Sequence, residues 1–174
     1  MADFTYSAEP ILEIDGDKAP EKLMEDLLYM TVDESISLPS MFTLAFQNSA
    51  LSGQEEAEVW EHADLFDFGK PITIGFTSST TASESFDEQI KEILFQGEIT
   101  AIESHFTPGS LAPIIIHGYD PSHRLHRGRF NRSFQNVTDS DVVKKIAGEA
   151  GISVGTVDDS GAPHDYFLQH YQTI

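Results

Sequence analysis

The sequence places four arginines within nine residues of a strongly acidic chain: Arg124, Arg127, Arg129 and Arg132. A guanidinium presents a planar fork of N–H donors to oxyanions, so such a group could bind phosphate. Aromatic residues accompany the arginines, as on surfaces that bind single-stranded nucleic acid: Tyr119, Phe130 and Phe134. The alternative interpretation is that the arginines pair with carboxylates of this chain or of a neighbouring subunit.

The charge distribution favours carboxylate partners. The chain has 29 acidic and 10 basic residues, a formal charge of -19. Residues 1–117 contain 22 acids and 4 bases (-18), whereas residues 118–174 contain 7 acids and 6 bases (-1). A chain this acidic repels polyanions at long range. We therefore predict that the protein does not bind nucleic acid, and we keep a nucleic-acid-binding module as an alternative.

Three histidines suggest a second kind of chemistry: His117, His123 and His126. A triplet of neutral imidazoles can hold zinc or iron, and with a nearby carboxylate it would suit a metal-assisted hydrolase. The spacings of six and three residues match no ordinary ligand motif, and adjacent arginines would repel a dication. The sequence also lacks cysteine and the common catalytic motifs. We predict no metal, no cofactor and no enzymatic activity, with the hydrolase as an alternative.

The elements before residue 118 are predicted to be strands. Segments such as Met41–Phe46 and Pro71–Phe76 alternate large apolar residues with smaller ones, which is the period of a half-buried strand. Five or six such segments without alternating long helices indicate an antiparallel barrel or sandwich. The fold class is therefore α+β, mainly β. Leu27–Ser35 is predicted as a short helix or turn running into a strand, and Thr77–Glu88 as an exposed loop.

The sequence predicts one clear helix, over residues 138–151. Thr138 and Asp141 form a capping-box-like start, and Asp139 and Asp141 place carboxylates at the positive end of the helix dipole. Gly151 is typical of a C-terminal cap. The N-terminus lacks the basic and apolar regions of a signal peptide, and no segment reaches the ~18 apolar residues of a membrane-spanning helix. We expect a protein made in the cytoplasm with no direct membrane anchoring.

An ordered series of motifs resembles the hub segment of VgrG-type spike proteins, phage late control protein D and the hubs of extracellular contractile injection systems. The matching motifs are Gly118-Tyr119-Asp120, Ser122–Leu125, Arg127-Gly128-Arg129, Phe134-Gln135, Asp139–Val143, Ile146-Ala147 and Ala150-Gly151. A weaker likeness covers Ser37–Phe42 and Leu94–Glu103. The resemblance implies a tube-like barrel domain over residues 1–117 and the start of a second, α/β domain over residues 118–174.

The same resemblance implies a mechanical role. Such a protein forms a homotrimer that adapts the sixfold inner tube to a threefold spike, with the inner tube protein, baseplate proteins and spike tip as partners. It would be incorporated in a phage-tail-like particle that penetrates envelopes and delivers effectors. On this interpretation six residues are structural or lie at the subunit interface: Arg124, Arg127, Arg129, Arg132, Asp139 and Asp141.

Overall fold

The computed structural model describes residues 6–48, 60, 62–80, 90–104 and 113–173. The chain divides into two compact units, Met1–Asp120 and Pro121–Ile174. This division falls close to the composition change at residue 118, and the assignment of two domains stays a prediction. Among the described residues, no helix is long and apolar enough to span a membrane.

The first unit consists of one antiparallel sheet and short helical turns. Its strands are β1 (Tyr6–Ile14), β2 (Asp17–Lys18), β3 (Leu27–Asp33), β4 (Met41–Phe46), β5 (Pro71–Thr80), β6 (Ile90–Ser104) and β7 (Ile114–Tyr119), with α1 (Glu21–Glu25) before β3 and a 3₁₀ turn at Ala63–Leu65. The strand order is β2-β1-β5-β6-β7-β4-β3, and every pair is antiparallel. Within the described residues the series of pairings begins at β2 and ends at β3.

The predicted alternation builds the core of this sheet. The residues in phase along the central strands are buried: Phe42, Leu44 and Phe46 on β4, Ile72 and Ile74 on β5, and Ile114 and Ile116 on β7. Trp60 and Phe66 extend the core, with ring centroids 5.0 Å apart in a stacked arrangement. The predicted class, α+β and mainly β with antiparallel strands, is confirmed.

Two sequence boundaries differ in detail from the structure. The prediction for residues 27–35 is close, because α1 leads directly into β3. The loop predicted from Thr77 begins later, because β5 continues through Thr80. The remainder of that segment, residues 81–88, lies outside the described residues.

The second unit contains a 3₁₀ segment at Pro121–His126, β8 (Phe130–Val137), α2 (Asp139–Glu149) and β9 (His164–Gln172). β8 and β9 pair antiparallel. Phe134 on β8 and Ala147 on α2 are buried, and the Lys145 ammonium lies 5.2 Å from the Phe134 ring centroid. The helix predicted over residues 138–151 is α2, with Thr138 as N-cap, Ala150 as C-cap and Gly151 at φ +66°.

Candidate functional site

Arg124 contacts the chain just beyond the C-terminus of α2. Its Nη1 donates to the carbonyl oxygen of Gly151 at 3.1 Å. Carbonyl groups at this end of a helix lack intrahelical donors and carry the negative end of the helix dipole. A guanidinium there satisfies one carbonyl group and stabilises the helix end by about 0.3–1 kcal/mol. Arg124 therefore connects the 3₁₀ segment to the helix.

Arg132 connects β8 to the last turn of α2. Its Nη1 donates to Oε2 of Glu149, and its guanidinium carbon lies 4.5 Å from the ring centroid of Phe130. The Arg132 side chain is 17% exposed and that of Glu149 is 47% exposed. Partial burial reduces solvent screening of the pair relative to a fully exposed one. This ion pair supports the interpretation that carboxylates satisfy the arginines.

Arg127 and Arg129 lie on an exposed stretch of the chain, and each has a ring side chain close to its guanidinium group. Nη2 of Arg127 lies 2.5 Å from Nε2 of His123. The guanidinium carbon of Arg129 lies 5.2 Å from the ring centroid of Tyr171 on β9, which is a cation–π contact. The four arginines thus contact a carbonyl oxygen, an imidazole, an aromatic ring and a carboxylate.

The two predicted acidic residues lie at the N-terminus of α2. Asp141 completes the capping box: the backbone N–H of Thr138 donates to its Oδ2 at 3.1 Å, and the Asp141 N–H donates to Oγ1 of Thr138 at 3.2 Å. Hydrogen bonding of the carboxyl with the Thr138 backbone N–H, and next with the Thr138 side chain, lowers the pKa of Asp141 from its usual value. Oδ1 of Asp139 lies 2.9 Å from Nε2 of His164, which connects the helix start to β9.

The three histidines considered for a metal site do not form a metal-binding group among the described residues. The ring of His117 lies between Thr43 and Glu103, with Nδ1 3.1 Å from Thr43 Oγ1 and Nε2 3.6 Å from Glu103 Oε1. His123 and His126 belong to the second unit. No group of three or more histidine or acidic side chains suited to a metal ion occurs in the part of the chain that the structure describes. The hydrolase alternative gains no support from the geometry.

Several structural partners were missed by sequence reasoning. Glu149, His164 and Tyr171 were not singled out, since each meets its partner across at least 17 residues of chain. Asp120 stood only as part of a motif. In the structure Oδ2 of Asp120 accepts a hydrogen bond from the backbone N–H of Ser40 at 2.7 Å. The backbone N–H of Asp120 donates to the carbonyl oxygen of Ser40 at 2.9 Å. This reciprocal pair fixes the chain leaving β7 to the chain entering β4.

Gly118, the first residue of the motif series, has a steric role. A Cβ at this position would collide with the Glu98 carbonyl oxygen on β6 and with the ring of Phe42 on β4. Both neighbours are fixed, because Glu98 presents backbone and Phe42 is 0% exposed. Glycine therefore allows β7 to lie closely between its two neighbours.

Solved structures share this fold, and two of them superpose on nearly the whole chain. The 43 kDa tail protein of prophage MuSo2 from Shewanella oneidensis superposes with a TM-score of 0.65 and 16% identity, over 94% of this chain and 44% of that one. An Escherichia coli protein described as a component of the type VI secretion system, with structural similarity to the bacteriophage T4 tail proteins gp27 and gp5, gives a TM-score of 0.57 and 17% identity, over 93% of this chain and 39% of that one.

These similarities establish the fold. No family model matches the sequence, and no curated protein sequence matches it. The hub-type resemblance seen in the sequence is confirmed at the level of the fold, because nearly the whole chain superposes on a phage tail protein and on a secretion-system component. The chain spans less than half the length of each of these proteins.

Proposed function

We propose that the protein is a structural component of the baseplate hub or spike of a phage-tail-like contractile injection system. The observation that carries the proposal is the agreement of two independent signals. The motif series from Gly118 to Gly151 resembles hub proteins, and the fold over 94% of the chain is that of a phage tail protein. The role is mechanical, and the residues act by positioning backbone and subunits.

In the proposed assembly three copies form a ring between the sixfold inner tube and a threefold spike. Tube protein, other baseplate proteins and the spike tip are its neighbours, and contraction drives the assembly through an envelope to deliver effectors. The protein is made in the cytoplasm and functions inside the particle. Closed point-group symmetry is the usual state of such homo-oligomers.

The predicted site residues have two roles within this proposal. Arg132 and Asp139 connect α2 to β8 and β9, as their ion pairs indicate. Arg124 contacts the chain just after the helix, and Asp141 caps its N-terminus. The exposed residues Arg127 and Arg129 contribute to the surface between subunits. Loss of the first group loosens the unit itself, whereas reversal of charge at the second disturbs assembly of folded chains.

The experiment that tests the proposal is a determination of the oligomeric state of the complete gene product. Light scattering should give the mass of a trimer, and electron microscopy of negatively stained particles should show threefold rings. A stable monomer with no ring at micromolar concentration would refute the proposal. Metal analysis of the same sample tests the hydrolase alternative, since stoichiometric zinc or iron that is lost in a His123→Ala/His126→Ala variant would contradict a purely mechanical role.

A further inference from the structure

Arg129 and Tyr171 form an exposed pair at the end of the β8–β9 ladder. The guanidinium carbon lies 5.2 Å from the ring centroid, and Tyr171 is 60% exposed. In the part of the chain that the structure describes, Arg129 has no carboxylate within ion-pair distance, unlike Arg132. The cation–π contact orients the guanidinium, whose N–H groups are donors that suit an oxyanion.

The backbone of Tyr171 holds an unusual conformation. Its φ is +48°, a region that a bulky aromatic residue rarely occupies. Asn131 pairs with His170 and Phe130 pairs with Gln172, so Tyr171 is the extra residue of a bulge. A bulge of this kind redirects a side chain, and it directs the Tyr171 ring to Arg129.

Two side chains hold this strained conformation in place. The Tyr171 N–H donates to Oδ1 of Asn131 at 2.8 Å. The Gln169 amide nitrogen donates to the carbonyl oxygens of Gln172 at 3.2 Å and Thr173 at 2.9 Å, and Gln169 itself is only 7% exposed. Backbone strain that the surrounding structure maintains is concentrated at functional positions. Here the strained residue is Tyr171, whose exposed ring contacts the Arg129 guanidinium, so the strain indicates a binding role.

The charge of the chain identifies the chemistry of the partner. Residues 121–138 contain four arginines and no acidic residue, whereas residues 1–117 have a net charge of -18. Many acids of the first unit are exposed, among them Asp15, Asp17, Glu21, Glu25, Asp33 and Glu34. The exposed arginine of one copy is therefore complementary to the first unit of another copy.

We infer that the Arg129–Tyr171 pair is a contact by which one copy of the chain binds carboxylates on the first unit of a second copy. This inference rests on the proposed multisubunit role and names the two surfaces that meet. Arginine and tyrosine, together with tryptophan, are enriched among the interface residues that contribute most to binding. Because the two surfaces differ, the contact is head-to-tail, and a head-to-tail contact that closes on itself produces a ring.

The test measures self-association of the complete gene product by sedimentation velocity over a range of protein and salt concentrations. Arg129→Glu reverses the charge of the pair. Tyr171→Gly removes the ring and accepts the positive φ without strain. Two matched controls are Lys144→Glu, which makes the same charge change on the exposed side of α2, and Tyr171→Phe, which keeps the ring.

We expect the dissociation constant to rise at least about tenfold in Arg129→Glu and in Tyr171→Gly, and to change less than about threefold in both controls. Wild-type association should weaken as salt is raised. Thermal unfolding verifies that each variant is folded. If both test variants unfold, the pair is structural and the inference is wrong.

The remaining outcomes separate this inference from the proposed function. A wild-type chain that assembles equally well with Arg129→Glu and Tyr171→Gly overturns the Arg129–Tyr171 contact and leaves the hub proposal intact. A wild-type chain that stays monomeric at every concentration overturns both. If Lys144→Glu weakens association as much as Arg129→Glu does, the effect reflects net charge alone. That result also refutes the specific contact.

Discussion

Substitution of Gly118 by alanine measures how closely β7 lies between β4 and β6. The added Cβ meets a backbone oxygen, which cannot rotate away, and the edge of the Phe42 ring. That ring packs edge-on against Phe95, with centroids 5.3 Å apart, and both rings are buried. Overpacking of this kind costs about 3 kcal/mol at the upper end of its usual range.

The unfolded chain offsets part of that cost. Alanine has less conformational freedom than glycine when unfolded, which favours the folded state by about 0.4–1 kcal/mol. The expected net loss of unfolding free energy is therefore about 2 kcal/mol. With a urea dependence of about 2 kcal/mol per molar, the midpoint should fall by about 1 M.

Gly148→Ala is the matched control, because the same change occurs in open space. Apart from the nearby backbone of α2 itself, no atom lies within 4 Å of a Cβ at this position. Alanine within a helix is more favourable than glycine by about 0.5–1 kcal/mol, so this variant should be more stable. The two substitutions are chemically identical and have opposite expected signs.

The assay must report each unit separately. Trp60 is the single tryptophan and packs in the core of the first unit. Its fluorescence in urea therefore reports how Gly118→Ala changes the stability of that unit. Amide hydrogen exchange of α2 reports how Gly148→Ala changes the stability of the helix in the second unit. A Gly118→Ala protein with a wild-type fluorescence midpoint would refute the reasoning, since the sheet would then accommodate a Cβ at position 118 without loss of stability.

Three further predictions concern α2 and its connections. Thr138→Ala should cost the helix about 1 kcal/mol through loss of the N-cap, measured as faster exchange of α2 amides, and unchanged exchange would contradict the capping role. Folding lowers the pKa of Asp141, so its carboxylate stabilises the folded state. This contribution to the free energy of unfolding is fully present above the unfolded pKa of 3.8 and is lost as pH falls through the lower folded pKa. The difference in unfolding free energy between wild type and Asp141→Asn should therefore disappear in acid. A difference that persists there would show that the negative charge of Asp141 is not the source of its stabilising effect. A double-mutant cycle of Arg132→Ala with Glu149→Ala should give a coupling of about 0.5 kcal/mol that decreases in high salt, whereas zero coupling at low salt would show that the pair is not formed.

Local patterns in the sequence were sufficient for much of the fold. The alternation of Phe42, Leu44 and Phe46 predicted β4 and its buried face, because residues two apart in a strand share a face. The box formed by Thr138 and Asp141 predicted the start of α2, because capping depends on residues only three apart. Both signals act within a few residues and do not require knowledge of the tertiary structure.

Contacts that depend on strand register could not be predicted in this way. The pairing of β6 with β7 shifts between Ile99 and Ala101, and Ile102 still packs against the core that buries Ile99. A strict period of two would place residues three apart on opposite faces. The bulge at Tyr171 similarly brings Arg129 to a ring 42 residues away in sequence. Such irregularities are set by tertiary packing.

The arginines illustrate why proximity in sequence does not define a site. A phosphate site requires guanidinium groups that converge on one oxyanion. Arg124 instead donates to a backbone oxygen, Arg132 pairs with Glu149, and Arg129 makes a cation–π contact with the Tyr171 ring. Two of these three groups hold α2 in place, so recruiting them to nucleic acid would remove contacts that the helix uses. Salt-dependent binding of single-stranded DNA that Arg124→Ala and Arg132→Ala weaken without loosening α2 would contradict this division of roles.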